Sequence, residues 1–198
     1  RSVSLRDHMG LPDDLIFLQP YYRSLHDFYD YPPAGARLRR SSPVDQRLLG
    51  ATHGRIFTEI AAQSSMALFP GITCRLVLDN CFKRLLVVVD IDRVETLEAE
   101  GVFIAFPFLA ERPLVRTSCH GGWFQPESEQ LPGSSRDWFC VQKWLDVEGD
   151  GCHVTWSPLE APLVQLGQLA TGRWLDEIVI GNGTIFSYIM NNYWWTNS

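Results

Sequence analysis

Two carboxylates stand two residues apart in a turn-rich stretch, Glu127 and Glu129 in "GGWFQPESEQLPGSS". A pair of carboxylates flanking a glycosidic bond can hydrolyse it, one as general acid and the other as base or nucleophile. Alternating acids among Pro, Ser and Gly are also the ordinary make-up of a solvated loop, and residue types alone favour that plainer role. Arg136-Asp137 follows the Pro132-Gly133 turn. There Asp137 could hold the Arg136 guanidinium or cap the turn, or the pair could touch a substrate. Cys119-His120 suggests a thiol nucleophile with His120 or His153 as base. Neighbours on an extended segment point to opposite faces, so Cys119 and His120 would not meet. No residue of this chain is assigned a catalytic role.

His8, His26, His53, His120 and His153 show no metal-ligand spacing such as HxxxH or HxH, so no metal site is expected within the chain. Neither GxGxxG nor GxxxxGK nor GxSxG occurs, which leaves nucleotide binding and α/β-hydrolase chemistry without support. The seven tryptophans (123, 138, 144, 156, 174, 194 and 195) are the stronger chemical signal. Such rings can stack on the C–H faces of sugars, and each also supplies a large area for core burial.

The composition is that of a globular protein: 198 residues, 45% hydrophobic and 20% charged, with a net charge of −6. That charge, without a long basic run, argues against nucleic acid or an anionic membrane as the main partner. No segment approaches the roughly 20 consecutive apolar residues that span a bilayer. The start, "RSVSLRDHMG", has neither an apolar signal-peptide core nor an initiator Met, which suggests a fragment or a processed product. Five cysteines without CxxC spacing suggest reduced thiols and a cytoplasmic setting; a Cys74–Cys81 pair across two strands is the lesser alternative. The sequon Asn182-Gly183-Thr184 matters only for a secreted protein.

These residues must be positioned mainly by strands. Residues 1–50 mix Pro, Tyr and charge without a sustained period and read as an irregular arm ending in the linker "PPAGARLRRSSP", with a short helical piece around Leu15–Phe28. Residues 51–198 read as one β-domain. "RIFTEIAAQ" alternates, and "ITCRLVLDN" and "FKRLLVVVDID" flank Asn80-Cys81 in a tight hairpin. In "GVFIAFPFL", Pro107 marks an edge or a bulge. "DWFCVQKWLDV" alternates, with Trp138, Cys140, Gln142 and Trp144 on one face. Its length also permits a helix, but the turn signals "PGSS" before and "EGDG" after favour one strand, and "HVTWS", "APLVQLG" and "GTIFSYIM" add short strands. The sum predicts a mainly β protein, an antiparallel β-sandwich with few short helices.

Four blocks carry a family resemblance: "EGVFIAFPF" (Glu100–Phe108), "EQLPGSSRDWFCVQKWLDV" (Glu129–Val147), "SPLEAPLVQLGQL" (Ser157–Leu169) and "MNNYWWTN" (Met190–Asn197). In order and spacing, over roughly residues 50 to 198, the chain resembles the C-terminal β-domain of the bacterial-type glycoside hydrolase family 38 α-mannosidases. Two positions depart from the family pattern: Tyr193 stands where its closing block has His, and Ser135 where it has Cys.

The resemblance implies a galactose-mutarotase-like sandwich that packs on a catalytic (β/α) barrel, the barrel carrying the zinc ligands, nucleophile and acid/base. With the barrel missing, this chain alone is expected to be inactive, and zinc is implied only for the parent enzyme. An α-mannoside would be the ligand, and an apolar face left bare would favour a homo-oligomer. By resemblance, the substrate-binding candidates are Gln130, Arg136, Asp137, Trp138 and Gln142 in the central block, and Asn191, Asn192, Trp194 and Asn197 at the end. Their polar groups would bond sugar hydroxyls and their rings would pack or stack; the other role is to satisfy turns and the barrel interface. Two further functions stay open, a stand-alone carbohydrate-binding module and a structural interaction domain.

Overall fold

The computed structural model describes residues 16–20, 41–96, 100–149, 151–169 and 175–191. Among the described residues every regular element is a strand and none is a helix. The chain divides into two compact units, one formed by residues 41–97 and the other by residues 1–40 with 98–198. β1 (Ile16–Pro20) belongs to the second of these. It lies where the sequence suggested a helical piece; the rest of that expectation falls outside the described residues.

The unit of residues 41–97 is a four-stranded antiparallel meander: β2 (Val44–His53), β3 (Phe57–Met66), β4 (Phe69–Asp79) and β5 (Leu85–Asp92), paired in that order. β2 crosses the boundary expected at residue 50. Register sets Ile60 beside Leu76 and Leu76 beside Val87, so alternation collects these apolar side chains on one face. The other face carries polar pairs such as Arg75–Asp90, 3.1 Å apart. The β4–β5 connection is not the tight Asn80-Cys81 hairpin but a longer turn over residues 80–84. Asp79 imposes it by accepting bonds from the N–H groups of Cys81 (2.9 Å) and Phe82 (3.1 Å).

The larger unit is a sandwich. Its remaining strands are β6 (Glu100–Glu111), β7 (Leu114–Cys119), β8 (Gly122–Phe124), β9 (Phe139–Cys140), β10 (Leu145–Gly149), β11 (Cys152–Trp156), β12 (Leu163–Leu166) and β13 (Asn182–Asn191). One sheet runs β1-β6-β13-β12-β9 and the other β11-β10-β7-β8, with antiparallel neighbours throughout. Their inner faces share one core: Ala110, Val164, Leu166 and Ile185 from the first sheet meet Val115, Leu145 and Val147 from the second. Burying these side chains is the main force that joins the sheets. Pro107 pairs with Thr184 of β13 beyond the end of the β1 ladder at Ile104. Its missing N–H therefore interrupts no bond to β1.

"DWFCVQKWLDV" is not one strand. Its start, β9, belongs to the five-stranded sheet and its end, β10, to the four-stranded one, so residues 141–144 cross between them. The crossing is held by backbone bonds to other elements. Val141 N–H donates to Pro162 O (2.9 Å), while Lys143 and Trp144 N–H both donate to the Ser118 hydroxyl oxygen at 2.9 Å. The continuous alternation fails here because the two halves face the same core from different sheets.

Candidate functional site

The solvent face of the four-stranded sheet gathers the polar groups with the most chemistry. Alternation along β7 and β10 turns Val115, Thr117, Leu145 and Val147 into the core. The intervening Arg116, Asp146 and Glu148 stand on the other face, and register sets Asp146 between Arg116 of β7 and Thr155 of β11. One step along, Ser118 lies opposite Trp123 of β8 and donates its N–H to Trp144 O at 2.9 Å. Arg116, Trp123, Trp144, Asp146 and Thr155 line a shallow groove of about 560 Å³.

Asp146 is the hub of that groove. It is only 8% exposed, and three donors satisfy its carboxylate. His153 Nε2 (2.9 Å) and Thr155 Oγ1 (3.0 Å) bond to Oδ1, and Arg116 Nη1 (3.2 Å) bonds to Oδ2. The same Nη1 reaches Glu148 Oε2 at 2.9 Å. The Arg116 guanidinium carbon also sits 5.7 Å from the centre of the Trp123 ring, a cation–π distance that fixes the ring's orientation. Trp123 nevertheless keeps 50% of its surface exposed. One guanidinium faces two carboxylates, a negative balance among these ion-paired groups. That balance disfavours phosphates and other anions. Flat rings beside hydroxyl, guanidinium and carboxylate groups suit a neutral polyol.

The meander unit has a recess of about 660 Å³ lined by His53, Gly54, Arg55, Leu78, Asp79 and Asn80. Its polar groups mostly hold turns. His53 Nδ1 bonds Thr58 Oγ1 (2.8 Å), Thr58 donates to Asn80 Oδ1 (3.0 Å), and Asn80 Nδ2 donates to Gly54 O (2.8 Å). Asp79 is held below the usual carboxylate range, first by the Cys81 N–H; desolvation opposes this, and Arg84 and the Phe82 N–H reinforce it.

The residues nominated from sequence fall into separate places. Gln130 donates to Ser135 O (3.2 Å), Arg136 reaches Gln130 O (3.5 Å), and Asp137 accepts from Ser135 Oγ (2.7 Å). These three therefore clamp their own loop. Trp138 packs with Phe103 and Tyr188, ring centres 6.0 and 4.9 Å away, in a cluster that includes buried Phe103, Ala105 and Phe186. Gln142 is exposed, its amide hydrogen-bonded to His120 Nδ1. Asn191 ends β13, while Asn192, Trp194 and Asn197 lie outside the described residues.

The two loop carboxylates also hold backbone. Glu127 accepts from Ile180 N–H (2.7 Å) and Glu129 from Gln125 N–H (2.7 Å). Cys74, Cys81, Cys119 and Cys140 are free thiols. Among the described residues no group of three or more His, Cys, Asp or Glu could hold a metal ion, and no helix is long and apolar enough to cross a membrane.

Arg116, Asp146 and Thr155 do not stand out in the sequence as site residues. Their sequence signal is the alternation of polar with apolar residues in "LVRTS", "LDVEG" and "HVTW", legible only once each strand's outer face is known. Comparison with models of known protein families and with curated proteins finds no match to this chain.

Proposed function

We propose that the sandwich unit binds carbohydrate through the outer face of its four-stranded sheet. The observation that carries this reading is the half-exposed Trp123, held by Arg116 beside the Asp146–Thr155 cluster in one groove with Trp144. An aromatic ring covers the C–H face of a pyranose, and the fixed polar groups at its edge exchange hydrogen bonds with hydroxyls. Three bonds orient Asp146 before any ligand arrives, so little ordering remains to oppose binding.

The four sequence blocks extend the proposal to the whole protein: a C-terminal, galactose-mutarotase-like domain of an α-mannosidase-like glycoside hydrolase. In that arrangement the chain packs on a catalytic barrel, which supplies zinc and the reacting carboxylates. The groove residues fit binding rather than bond cleavage, because the Asp146 carboxylate is committed to Arg116, His153 and Thr155.

Calorimetric titration with mannose and mannobiose tests the reading. Saturable binding that Trp123→Ala weakens supports it, and no saturable heat with either sugar sinks it. Zinc-dependent hydrolysis of an aryl mannoside by this chain alone would overturn its assignment as a non-catalytic partner.

A further inference from the structure

We infer that the groove selects an extended saccharide of two or more units over a single sugar, with Trp123 and Trp144 as separate ring platforms. The inference rests on the carbohydrate reading above and adds the ligand's size. Trp123 and Trp144 lie on opposite sides of Ser118. The first pairs with it across the β7–β8 ladder, and the second accepts its N–H on the β10 side at 2.9 Å. Two interstrand spacings separate their backbones, on the order of 10 Å, which is the length of a disaccharide. One pyranose ring cannot cover both indoles across that span.

The floor between the platforms is set for the same purpose. Ser118 is small and buried, and its hydroxyl oxygen already accepts the Lys143 and Trp144 N–H groups. A ligand therefore meets a low floor flanked by rings. One step along the sheet, Arg116 lies opposite Asp146, with Thr155 on the far side of Asp146. Both ion pairs of Arg116 use Nη1, which leaves the other N–H groups of the guanidinium without a hydrogen-bond acceptor among the described residues, beside the Trp123 ring. Those free N–H groups suit hydroxyls of a second unit. The Trp123 ring is held against Arg116, so binding loses little side-chain freedom there. The Trp144 backbone is tied twice to Ser118, which sets where its ring leaves the sheet.

The test is a series of α-linked manno-oligosaccharides of one to four units, titrated against the full chain by calorimetry and tryptophan fluorescence. Affinity should rise about tenfold from one unit to three, as expected for a second ring contact, and level off by the fourth. Trp123→Ala and Trp144→Ala should each flatten the series while far-UV circular dichroism stays that of the parent. The wild-type series decides the matter even where a variant fails to fold. Equal affinity for mannose and for the longer chains would overturn the inference and leave carbohydrate binding standing. No saturable binding across the series would overturn both.

Discussion

Replacing Asp146 by Asn tests whether the groove is a built structure or a chance meeting of surface charges. The change keeps shape and one oxygen, so His153 and Thr155 can retain their acceptor at Oδ1. It places an NH₂ where Oδ2 now accepts from Arg116 Nη1 at 3.2 Å, so a donor faces a donor. A hydrogen bond to a charged group contributes about 1.5–3 kcal/mol. The Arg116 side chain is 26% exposed and keeps Glu148 as a partner, which moves the expectation to the low end. A loss of about 1.5–2 kcal/mol follows, or a fall of roughly 3–8 °C in Tm for a unit of this size. Urea unfolding followed by tryptophan fluorescence would measure it, with an unchanged m-value showing that stability alone has moved. Arg116→Met with Asp146→Asn completes a double-mutant cycle, whose coupling should reach about 1 kcal/mol. A loss within about 0.5 kcal/mol, the range of ordinary surface substitutions, with negligible coupling, would refute the claim that Asp146 organises the groove.

Ser118→Ala removes the acceptor of two backbone N–H groups at the sheet crossing and should cost about 1–3 kcal/mol in chemical unfolding. A neutral result would show that the crossing holds itself. In Gly183→Ala the new Cβ would lie 2.7 Å from Phe108 O and 3.1 Å from Val147 Cγ1, where the two sheets approach closely. Overpacking there should destabilise by about 1–3 kcal/mol in thermal unfolding, and an unchanged Tm would count against the close approach. Trp138→Ala opens the cluster with Phe103 and Tyr188, and a loss of about 2–4 kcal/mol is expected because the ring is only partly buried. Sugar affinity should persist in that variant, and its loss would return Trp138 to the binding site.

Burial pushes the Cys74 thiol from 9.0 up to about 11, so folding disfavours its thiolate. Its effect on stability is nil below pH 9 and becomes a growing loss as the pH rises from there towards about 11. Iodoacetamide at pH 8 should label the exposed Cys81 and Cys140 well before Cys74. Equal rates would contradict the burial.

Alternation in the sequence determined the β class and many of the strands. "ITCRLVLDN", "HVTWS", "APLVQLG" and "GTIFSYIM" all contain strands, and the match of period 2 to the pleat leaves a half-buried chain few alternatives. Turn length was less legible, because the Asp79 side chain lengthened the turn through bonds to backbone N–H groups that residue types do not announce. The crossing at residues 141–144 was hidden for a similar reason: its support is the Ser118 hydroxyl, distant in sequence.

The site was legible only in its ingredients. Tryptophans and loop carboxylates stood out by type, yet the described loop residues Glu127, Glu129, Gln130, Arg136 and Asp137 hold their own or neighbouring backbone and side chains. The groove instead takes Arg116, Trp123, Trp144, Asp146 and Thr155 from separate strands and from the crossing before β10. The sequence by itself determined which side chains alternate along each strand. Only the tertiary structure decided which strands lie side by side, because register and core packing, rather than separation along the chain, bring Arg116, Asp146 and Thr155 onto one face.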